Sequence, residues 1–449
     1  MNKTTKIEII VIVILVIVLG ILGYFTITQM NNNQSNMQAM PGKMNDGGQM
    51  GGENAGSADS QGATEVTDEQ TLNANYETSD ADTAVIRVTD GGNATITGAN
   101  VNKAGGDSSN TESADFYGGN AGILVDTDGT ATIKNTTITT NAKGGNAVFA
   151  YGENAKVYIS DSNITTTGQS SSRGLDATYG GYIEADNVTI TTNGGSCATL
   201  ATDRGEGTVK VKNSNLTTNG RGSPVIYSTG NISIENTKGT ATGAQMVVVE
   251  GKNTATVTNS TLKASGKGNR NDVDNCGIMI YQSMSGDAGE GTGTFTATDS
   301  TLEIDENSSY YKTAPLFFLT NTTGIINLTN NEIKYGSNIL ISAKGTSEWG
   351  KSGSNGADIT LNATNQELSG NIEADNISTV VINLKENSKL SSTINSANTA
   401  KSVILKLDSS SKLTLTGDCY VTSFDDEDSS YSNIDFNGYK LYVNGTAIN

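Results

Sequence analysis

Tyrosine, arginine and carboxylate side chains carry the chemistry available to this chain, because it contains no histidine. The absence of histidine excludes Ser-His-Asp and Cys-His catalysis, histidine-bound zinc and a histidine pH switch. The net charge of −19 argues against nucleic acid as a partner, since phosphate binding needs clustered lysine and arginine. What remains is sugar stacking on aromatic rings, cation binding by carboxylates, and electrostatic work by arginine beside aspartate.

Five aromatic residues are candidates for binding a sugar polymer, since the flat face of a sugar ring packs on an aromatic ring. Tyr151 and Tyr179 end equivalent apolar segments of consecutive repeats, and Tyr227 and Tyr281 lie near the same position in later repeats. Trp349, the only tryptophan, lies in a loop rich in glycine and serine. Tyrosine also favours β-sheet surfaces for reasons unrelated to binding, so a purely structural interpretation stays open.

A second candidate group consists of Arg173, Arg204 and Asp203, with Asp176 close by in the sequence. A polysaccharide lyase needs an arginine or lysine base beside acidic residues, whereas solvated loop residues are the plain alternative. We therefore assign these residues to ligand binding, name no catalytic residue and predict that the protein is not an enzyme.

Calcium is the metal that this composition favours, because carboxylates are abundant and histidine is absent. Asp126 and Asp128 lie in the segment DTDG, which resembles the opening of a calcium-binding loop but lacks its later ligands. A plain acidic turn is the alternative interpretation. The sequence requires no cofactor, and calcium at Asp126 and Asp128 is a hypothesis.

A repeated pattern of short apolar segments must position these residues. Units such as residues 131–139 (ATIKNTTIT), 157–165 (VYISDSNIT), 181–189 (GYIEADNVT) and 209–217 (VKVKNSNLT) alternate apolar and polar residues, and a second apolar segment such as 122–126 (GILVD) recurs between them. When these units are aligned by their pattern, the last apolar residue of the second, third and fourth unit is Ile164, Val188 and Leu216, respectively. The period of 2 and the β-branched residues predict strands and exclude helices.

Three short strands in each repeat of about 23 residues predict an all-β chain folded as a right-handed parallel β-helix. A β-sandwich array is the alternative. Asn135, Asp161, Asn213 and Asn259 occupy the corners, where Asn and Asp tolerate the left-handed conformation. Cys197 and Cys276 lie three coils apart, roughly 14 Å at about 4.8 Å per coil, so we expect neither them nor Cys419 to form a disulfide.

The unit xVxIx-(Asn/Asp)-(Ser/Thr)-x-(Ile/Leu) resembles the repeat of right-handed parallel β-helix proteins of the pectate-lyase-like superfamily, and in particular of its adhesin-like branch. The resemblance covers residues 84–343 well and the rest weakly. It implies the fold, but the superfamily includes lyases, glycoside hydrolases, carbohydrate-binding modules and adhesins, so it does not imply one function. The His-Gly and Arg-Ile-Lys signatures of its hydrolases are absent from this chain.

Four regions are predicted along the chain. Residues 1–30 form an uncleaved signal anchor, since residues 7–27 are apolar over about the length of a membrane helix, and Lys3 and Lys6 place the N-terminus in the cytoplasm. Residues 31–75 are a low-complexity flexible stalk. Residues 76–345 are the β-helix, and residues 346–449 continue it to a C-terminal cap or form a separate small β domain.

The sequence thus predicts an adhesin-like or structural protein, anchored in the cell membrane by one helix, with a rigid β-helical rod outside the cell. If the N-terminal segment is cleaved, the protein is secreted instead. Its expected partners are extracellular polysaccharide or a component of a host or neighbouring cell surface. A non-catalytic carbohydrate-binding module, assisted by calcium, is the second hypothesis, and a polysaccharide lyase is the third.

Overall fold

The fold is known from a computed structural model that describes residues 59–449. Each turn of the chain is called a coil below, and each of the first ten coils contributes one strand to each of three sheets. The strands of coils 1 to 5 are β1 (Gln61–Val66), β2 (Glu69–Leu72), β3 (Asn75–Thr78), β4 (Thr83–Val88), β5 (Asn93–Thr97), β6 (Asn100–Lys103), β7 (Ile123–Val125), β8 (Thr130–Lys134), β9 (Thr137–Thr140), β10 (Val148–Tyr151), β11 (Lys156–Ser160), β12 (Asn163–Thr166), β13 (Leu175–Thr178), β14 (Tyr182–Asp186) and β15 (Thr189–Thr192).

Coils 6 to 10 follow the same order, and a helix, α1 (Thr111–Tyr117), is inserted earlier, between β6 and β7. The strands of these coils are β16 (Leu200–Thr202), β17 (Thr208–Lys212), β18 (Asn215–Thr218), β19 (Ile226–Ser228), β20 (Asn231–Glu235), β21 (Lys238–Ala241), β22 (Val247–Glu250), β23 (Thr254–Thr258), β24 (Thr261–Ala264), β25 (Ile278–Tyr281), β26 (Thr292–Thr298), β27 (Thr301–Ile304), β28 (Phe317–Thr320), β29 (Thr322–Thr329) and β30 (Glu332–Lys334).

The C-terminal part extends the same pattern, but the strands after β32, β35, β37 and β40 form a separate four-stranded sheet, β33-β36-β38-β41. Its strands are β31 (Ile339–Ala343), β32 (Ala357–Thr364), β33 (Glu367–Ser369), β34 (Asn371–Ala374), β35 (Thr379–Lys385), β36 (Lys389–Ser392), β37 (Ser402–Leu407), β38 (Lys412–Leu415), β39 (Cys419–Val421), β40 (Ser423–Asp426), β41 (Ile434–Asp435), β42 (Leu441–Val443) and β43 (Thr446–Ala447). Strands β32, β35, β37 and β40 join the same sheet as β2 and β5. The end of the described chain is the antiparallel pair β42–β43.

Three long sheets form the walls of the solenoid. Within residues 59–449, sheet A has 12 strands from β1 to β34, sheet B has 14 strands from β2 to β40, and sheet C has 10 strands from β3 to β30. Neighbouring strands are parallel and come from successive coils, as in the pair β11–β14. Each coil therefore hydrogen-bonds to the coils before and after it, which is the arrangement of a parallel β-helix.

Alternate side chains of each strand fill the interior, because successive residues of a strand point to opposite faces. The inward positions of sheet C form one apolar column through Val101, Ile138, Ile164, Ile190 and Leu216. These side chains are at most 1% exposed. Few apolar residues per coil are needed, since each one packs on equivalent residues above and below.

The corner between sheets B and C has left-handed backbone in coil after coil. Asn135, Asp161, Asn213 and Asn259 have φ values of 49°, 51°, 53° and 44°, which confirms the predicted corner residues. Their side chains also connect neighbouring coils. The amide of Asn213, for example, donates to Oδ1 of Asp186 at 2.7 Å, and its own Oδ1 accepts from the Asn236 amide at 3.3 Å.

The residue after each corner supplies a second, buried connection between coils. The backbone N–H of Thr136 donates to the hydroxyl of Ser162 in the next coil at 3.1 Å. The same bond recurs from the amides of Ser214, Thr237 and Ser260 to the hydroxyls of Thr237, Ser260 and Ser300. These hydroxyls satisfy amides that would otherwise be buried without an acceptor.

The β-helix begins earlier than predicted. Residues 61–66 and 69–72, assigned above to the flexible stalk, form β1 and β2 of the first coil. Among the residues of these two strands only Val66 and Leu72 are buried apolar side chains. Because the two strands have so few buried apolar residues, the alternation of apolar and polar residues that identifies the later coils is not apparent in the first coil. The predicted anchor and the stalk up to residue 58 lie outside the described residues, and within residues 59–449 no helix is long and apolar enough to cross a membrane.

All three cysteines are buried, and none forms a disulfide, as predicted from the coil spacing. Cys197 occupies a position in which other coils have serine: its backbone N–H donates to the Ser223 hydroxyl at 2.9 Å.

Replacement of a corner residue tests the backbone constraint. We expect Asn213→Ala to lower the free energy of unfolding by about 1–2 kcal/mol more than Asn213→Gly, because glycine adopts the left-handed conformation without the Cβ clash. Both variants lose the same side-chain hydrogen bonds, so the comparison isolates the backbone. Urea unfolding followed by circular dichroism measures the difference, and equal stabilities would contradict the argument.

Candidate functional site

The outer face of sheet A places the predicted site residues close together. Its central outward column contains Leu124, Phe149, Asp176 and Ala201, which are registered neighbours in β7, β10, β13 and β16. All four are fully buried although they point away from the solenoid interior. Other segments of the chain must therefore cover this face.

Helix α1 is one of the covering segments. Its N-cap, Asn110, accepts a hydrogen bond from the Ser113 amide at 3.1 Å, and the helix ends at Gly118 with φ 67°. Glycine is favoured at this position for two reasons. Its φ value is left-handed, and a Cβ there would lie 2.6 Å from the Phe149 ring. The coils below hold the helix: the Thr178 hydroxyl donates to the Phe116 carbonyl at 2.8 Å, and the Asn146 side-chain amide donates to the Ala114 carbonyl at 2.9 Å.

Beneath α1 lies a buried group of charges, called the Arg173 cluster. The Arg173 guanidinium contacts carboxylate oxygens of Asp176 at 2.6 Å, Asp203 at 2.9 Å and Asp115 of α1 at 3.2 Å. The exposed fractions of these side chains are 11% for Arg173, 0% for Asp176, 7% for Asp203 and 4% for Asp115. Two consecutive coils and the helix thus meet at one guanidinium.

The low polarity of this site raises the pKa values of its carboxyl groups. Burial raises the pKa of Asp115 to about 6, although the charge of Arg173 acts in the opposite direction. Burial also raises the pKa of Asp176 and, by more, that of Asp203. The cause is that a buried carboxylate loses its hydration, and one guanidinium does not compensate three of them.

A second ion pair lies beside the cluster. Nε and Nη2 of Arg204 donate to Oδ1 of Asp287 at 3.0 Å and 2.7 Å. The same guanidinium lies 3.9 Å from the centre of the Phe116 ring, which is a cation–π distance. Arg204 is 30% exposed and Asp287 is 12% exposed, so this pair reaches the surface while the Arg173 cluster does not.

Three half-buried tyrosines form a group next to Arg204, called the tyrosine platform. Tyr151 packs edge-on against Tyr117 and Tyr179 with ring centres 5.3 Å away in both cases. Tyr117, the last residue of α1, stacks on Tyr179 at 5.7 Å, and their hydroxyls are 3.4 Å apart. Tyr179 has φ 51°, a conformation that is rare for a bulky residue and that clusters at functional positions.

Residues 121–290 match the family model described as a right handed beta helix region. They run from just before β7 to just before β26 and include most of the site. The chain carries a right-handed parallel β-helix. None of the curated proteins and none of the solved structures matches it. The family match describes a structural repeat, so it establishes the fold and leaves the activity to be argued from the residues.

The β-helix brings most of the predicted ligand-binding residues onto one face. Arg173, Arg204 and Asp203 lie side by side, and Tyr151 and Tyr179 lie in contact. Tyr227 lies further along the face, where its hydroxyl donates to Glu250 at 2.7 Å.

Two predicted stacking residues are not available to a sugar. Tyr281 is 2% exposed and Trp349 is 5% exposed, with their ring centres 5.3 Å apart. The Tyr281 hydroxyl donates to Glu250 at 2.6 Å. The prediction that these two rings present a face to solvent is wrong, because the loop that contains Trp349 folds over the outer face of sheet A.

The predicted calcium ligands lie at the turn between β7 and β8. Oδ2 of Asp126 accepts from Nε of Arg87 at 2.9 Å, whereas Asp128 is exposed, with φ 65°. Within residues 59–449 no cluster of three or more His, Cys, Asp or Glu is arranged to hold a metal ion. Calcium binding at Asp126 and Asp128 stays a prediction.

The sequence did not point to Asp115, Tyr117, Glu250 or Asp287 as part of the site. Asp115 and Tyr117 belong to α1, in a chain for which helices were excluded by pattern. The available signal was local: Asn110 as N-cap and Gly118 as terminator enclose residues 111–117 (TESADFY). Asp287 is 83 residues from Arg204, and no spacing rule links them.

Removal of the central guanidinium tests how the site is held. We expect Arg173→Met to lower the free energy of unfolding by about 3–5 kcal/mol, because three buried carboxylates lose their counter-charge. Arg221→Met is the control, since the guanidinium of Arg221 makes an exposed hydrogen bond to the Asn269 carbonyl. Thermal and urea unfolding measure both. If Arg173→Met is as stable as Arg221→Met, the carboxylates do not depend on Arg173.

Proposed function

We propose that the protein is a non-catalytic, adhesin-like β-helical rod that binds polysaccharide through the tyrosine platform. The observation that carries this proposal is the group of half-buried rings Tyr117, Tyr151 and Tyr179 beside the surface pair Arg204–Asp287. Aromatic rings supply an apolar face for a sugar ring. Arginine and aspartate supply donors and acceptors for its hydroxyl groups.

The position of the platform suits a polymer better than a small molecule. It lies on the outer face of a continuous sheet: Tyr151 ends β10 and is registered with Thr178, and Tyr179 directly follows Thr178 in the next coil. The coils repeat at about 4.8 Å, so a chain that crosses several coils meets a regular surface. A partner with its own repeat, such as a polysaccharide, fits this geometry.

The state of the Arg173 cluster supports a non-catalytic function. The Arg173 guanidinium is bonded to three carboxylates, and all four side chains are nearly buried. A catalytic base or acid must reach the reacting atoms of its substrate, and this arrangement presents none of these groups to a bound sugar. A polysaccharide lyase is the second candidate, favoured by the juxtaposition of arginine and aspartate on one face.

The location at the cell surface is part of the same proposal and rests on the sequence alone. Lysines precede the apolar residues 7–27, the order expected of a signal anchor with the rest of the chain outside the cell. In that setting the rod adheres to extracellular polysaccharide or to glycans of a host or neighbouring cell.

Loss of two platform rings tests the binding site. The full chain in detergent is incubated with neutral and acidic polysaccharides, with and without calcium, and retention and release of shortened or unsaturated sugars are both measured. We expect retention without product. The double variant Tyr151→Ala/Tyr179→Ala should bind about 30-fold more weakly, on the order of 1 kcal/mol per ring.

The matched control is Tyr158→Ala/Tyr182→Ala, a pair of tyrosines on the outer face of sheet B with ring centres 6.1 Å apart. This control should bind like the native chain, and unfolding curves should show that both double variants are folded. Equal retention by the platform variant and the native chain would refute the platform. Product release would refute the non-catalytic function in favour of a lyase.

A further inference from the structure

The Arg173 cluster contains more acid than base. Asp115, Asp176 and Asp203 share one guanidinium, and all of them are nearly buried. Asp287 also acts electrostatically on Asp115 and Asp203, but its own ion pair is with Arg204. With every carboxyl group ionised, the cluster would hold uncompensated negative charge away from water, which is unfavourable.

The other charged groups near the cluster do not correct this imbalance. Glu112 of α1 faces Arg204, and Glu250 of β22 lies under the influence of Asp287. Ser171 donates to Asp115, and the hydroxyls of Tyr227 and Tyr281 are bonded to Glu250. Two further guanidinium groups lie on this side of the molecule: Arg204 is paired with Asp287, and Arg270 acts on the Tyr281 hydroxyl.

One oxygen of the cluster is positioned for a proton. Oδ1 of Asp176 is buried and has no well-aligned hydrogen-bond donor from any described residue, while Oδ2 is bonded to Arg173. A buried carboxylate oxygen without a donor is unfavourable when ionised, and a proton in the cluster removes that penalty.

The members of the cluster come from separate parts of the chain. Asp176 lies in β13, Arg173 precedes that strand, Asp203 follows β16, and Asp115 lies in the covering helix. The contact between Asp115 and Arg173 is an ion pair that joins α1 to the outer face of sheet A. The charge state of the cluster thus bears directly on how firmly the helix is held.

We propose that the Arg173 cluster is a proton-dependent latch, which holds α1 on the outer face of sheet A while a carboxyl group is protonated and loosens it when all are ionised. The sign follows from burial, which raises the pKa of Asp115 to about 6 and that of Asp203 well above its ordinary value. A carboxyl group whose pKa is raised by folding stabilises the folded contact at low pH, and this stabilisation is lost as the pH rises through the folded value.

One consequence rests on the proposed function. Tyr117 is the last residue of α1 and also part of the tyrosine platform. If the platform binds polysaccharide, release of α1 removes one of its three rings, so binding weakens as the pH rises. The latch itself does not depend on this, because it is a property of the helix contact in the absence of any ligand.

The latch is tested by hydrogen exchange of the full chain without polysaccharide. Protection of the amides of residues 111–117 is measured at pH 5 and pH 8 and corrected for the intrinsic pH dependence of exchange. We expect the open population of α1 to rise at least tenfold between these two pH values. Asp203→Asn, which keeps an acceptor for Arg173 and removes the charge, should abolish most of this rise.

The matched control is Asp299→Asn, because Asp299 is an exposed corner residue with φ 51°, and other corners have asparagine there. This variant should keep the native pH dependence. Equal protection of α1 at both pH values, or a native pH dependence in Asp203→Asn, would overturn the latch. Should Asp203→Asn fail to fold, infrared spectra of the native chain decide. Glu250 is another buried carboxyl group with a raised pKa, so the spectra are compared with those of Glu250→Gln. A protonated-carboxyl band that persists at pH 6.5 in both proteins supports the latch, and its absence from Glu250→Gln overturns it.

Discussion

The rest of the structure depends on the corner between sheets B and C. A left-handed residue turns the chain there, and the next residue buries its amide against a hydroxyl of the following coil, as Thr136 does with Ser162. A buried amide without an acceptor would cost about 1–3 kcal/mol, so each coil is held at one height and in one register relative to the next. Because the corner recurs in coil after coil, all three sheets stay aligned over the length of the solenoid.

A scaffold fixed in this way confines variation to the connections between strands. The connection from β6 to β7 contains α1. The connection after β25 supplies Asp287, and the connection after β31 supplies Trp349. All three cover the outer face of sheet A. Residues 83 positions apart in sequence can then form a bond such as Arg204–Asp287. The strands determine where the site lies, and the inserted connections determine what it contains.

The sequence correctly predicted features that follow from the strand period and the coil height, but the period alone did not determine which apolar residues are aligned in neighbouring coils. Corner residues such as Asn213 and the absence of disulfides follow from strand period and coil height, and both predictions are confirmed. Val188 was aligned as an apolar anchor, but Ile190 pairs with Ile164, since a shift of two residues preserves the alternation. Val188 instead occupies a corner position that has serine in neighbouring coils, and its amide donates to the Ser214 hydroxyl.

The candidate site was predictable only in part, for the same reason. Tyr151, Tyr179 and Arg204 were found because they occupy or adjoin equivalent positions of successive repeats. The burial of Tyr281 and Trp349 and the contribution of Asp115 depend on loops that follow no period. Nothing in the alternation of apolar residues indicates which loop folds back over which coil.

The Arg173 cluster is not explained by stability alone. The same outward column accommodates Leu124 and Phe149 under the same helix, so this face tolerates a well-packed apolar interior. Buried ionic groups are often no more stabilising than apolar residues of similar volume. What charges add is a contact whose strength depends on protonation and on one arrangement of donors and acceptors. A helix docked by Asp115 on Arg173 therefore has one seated position and a means of release, which apolar packing would not provide.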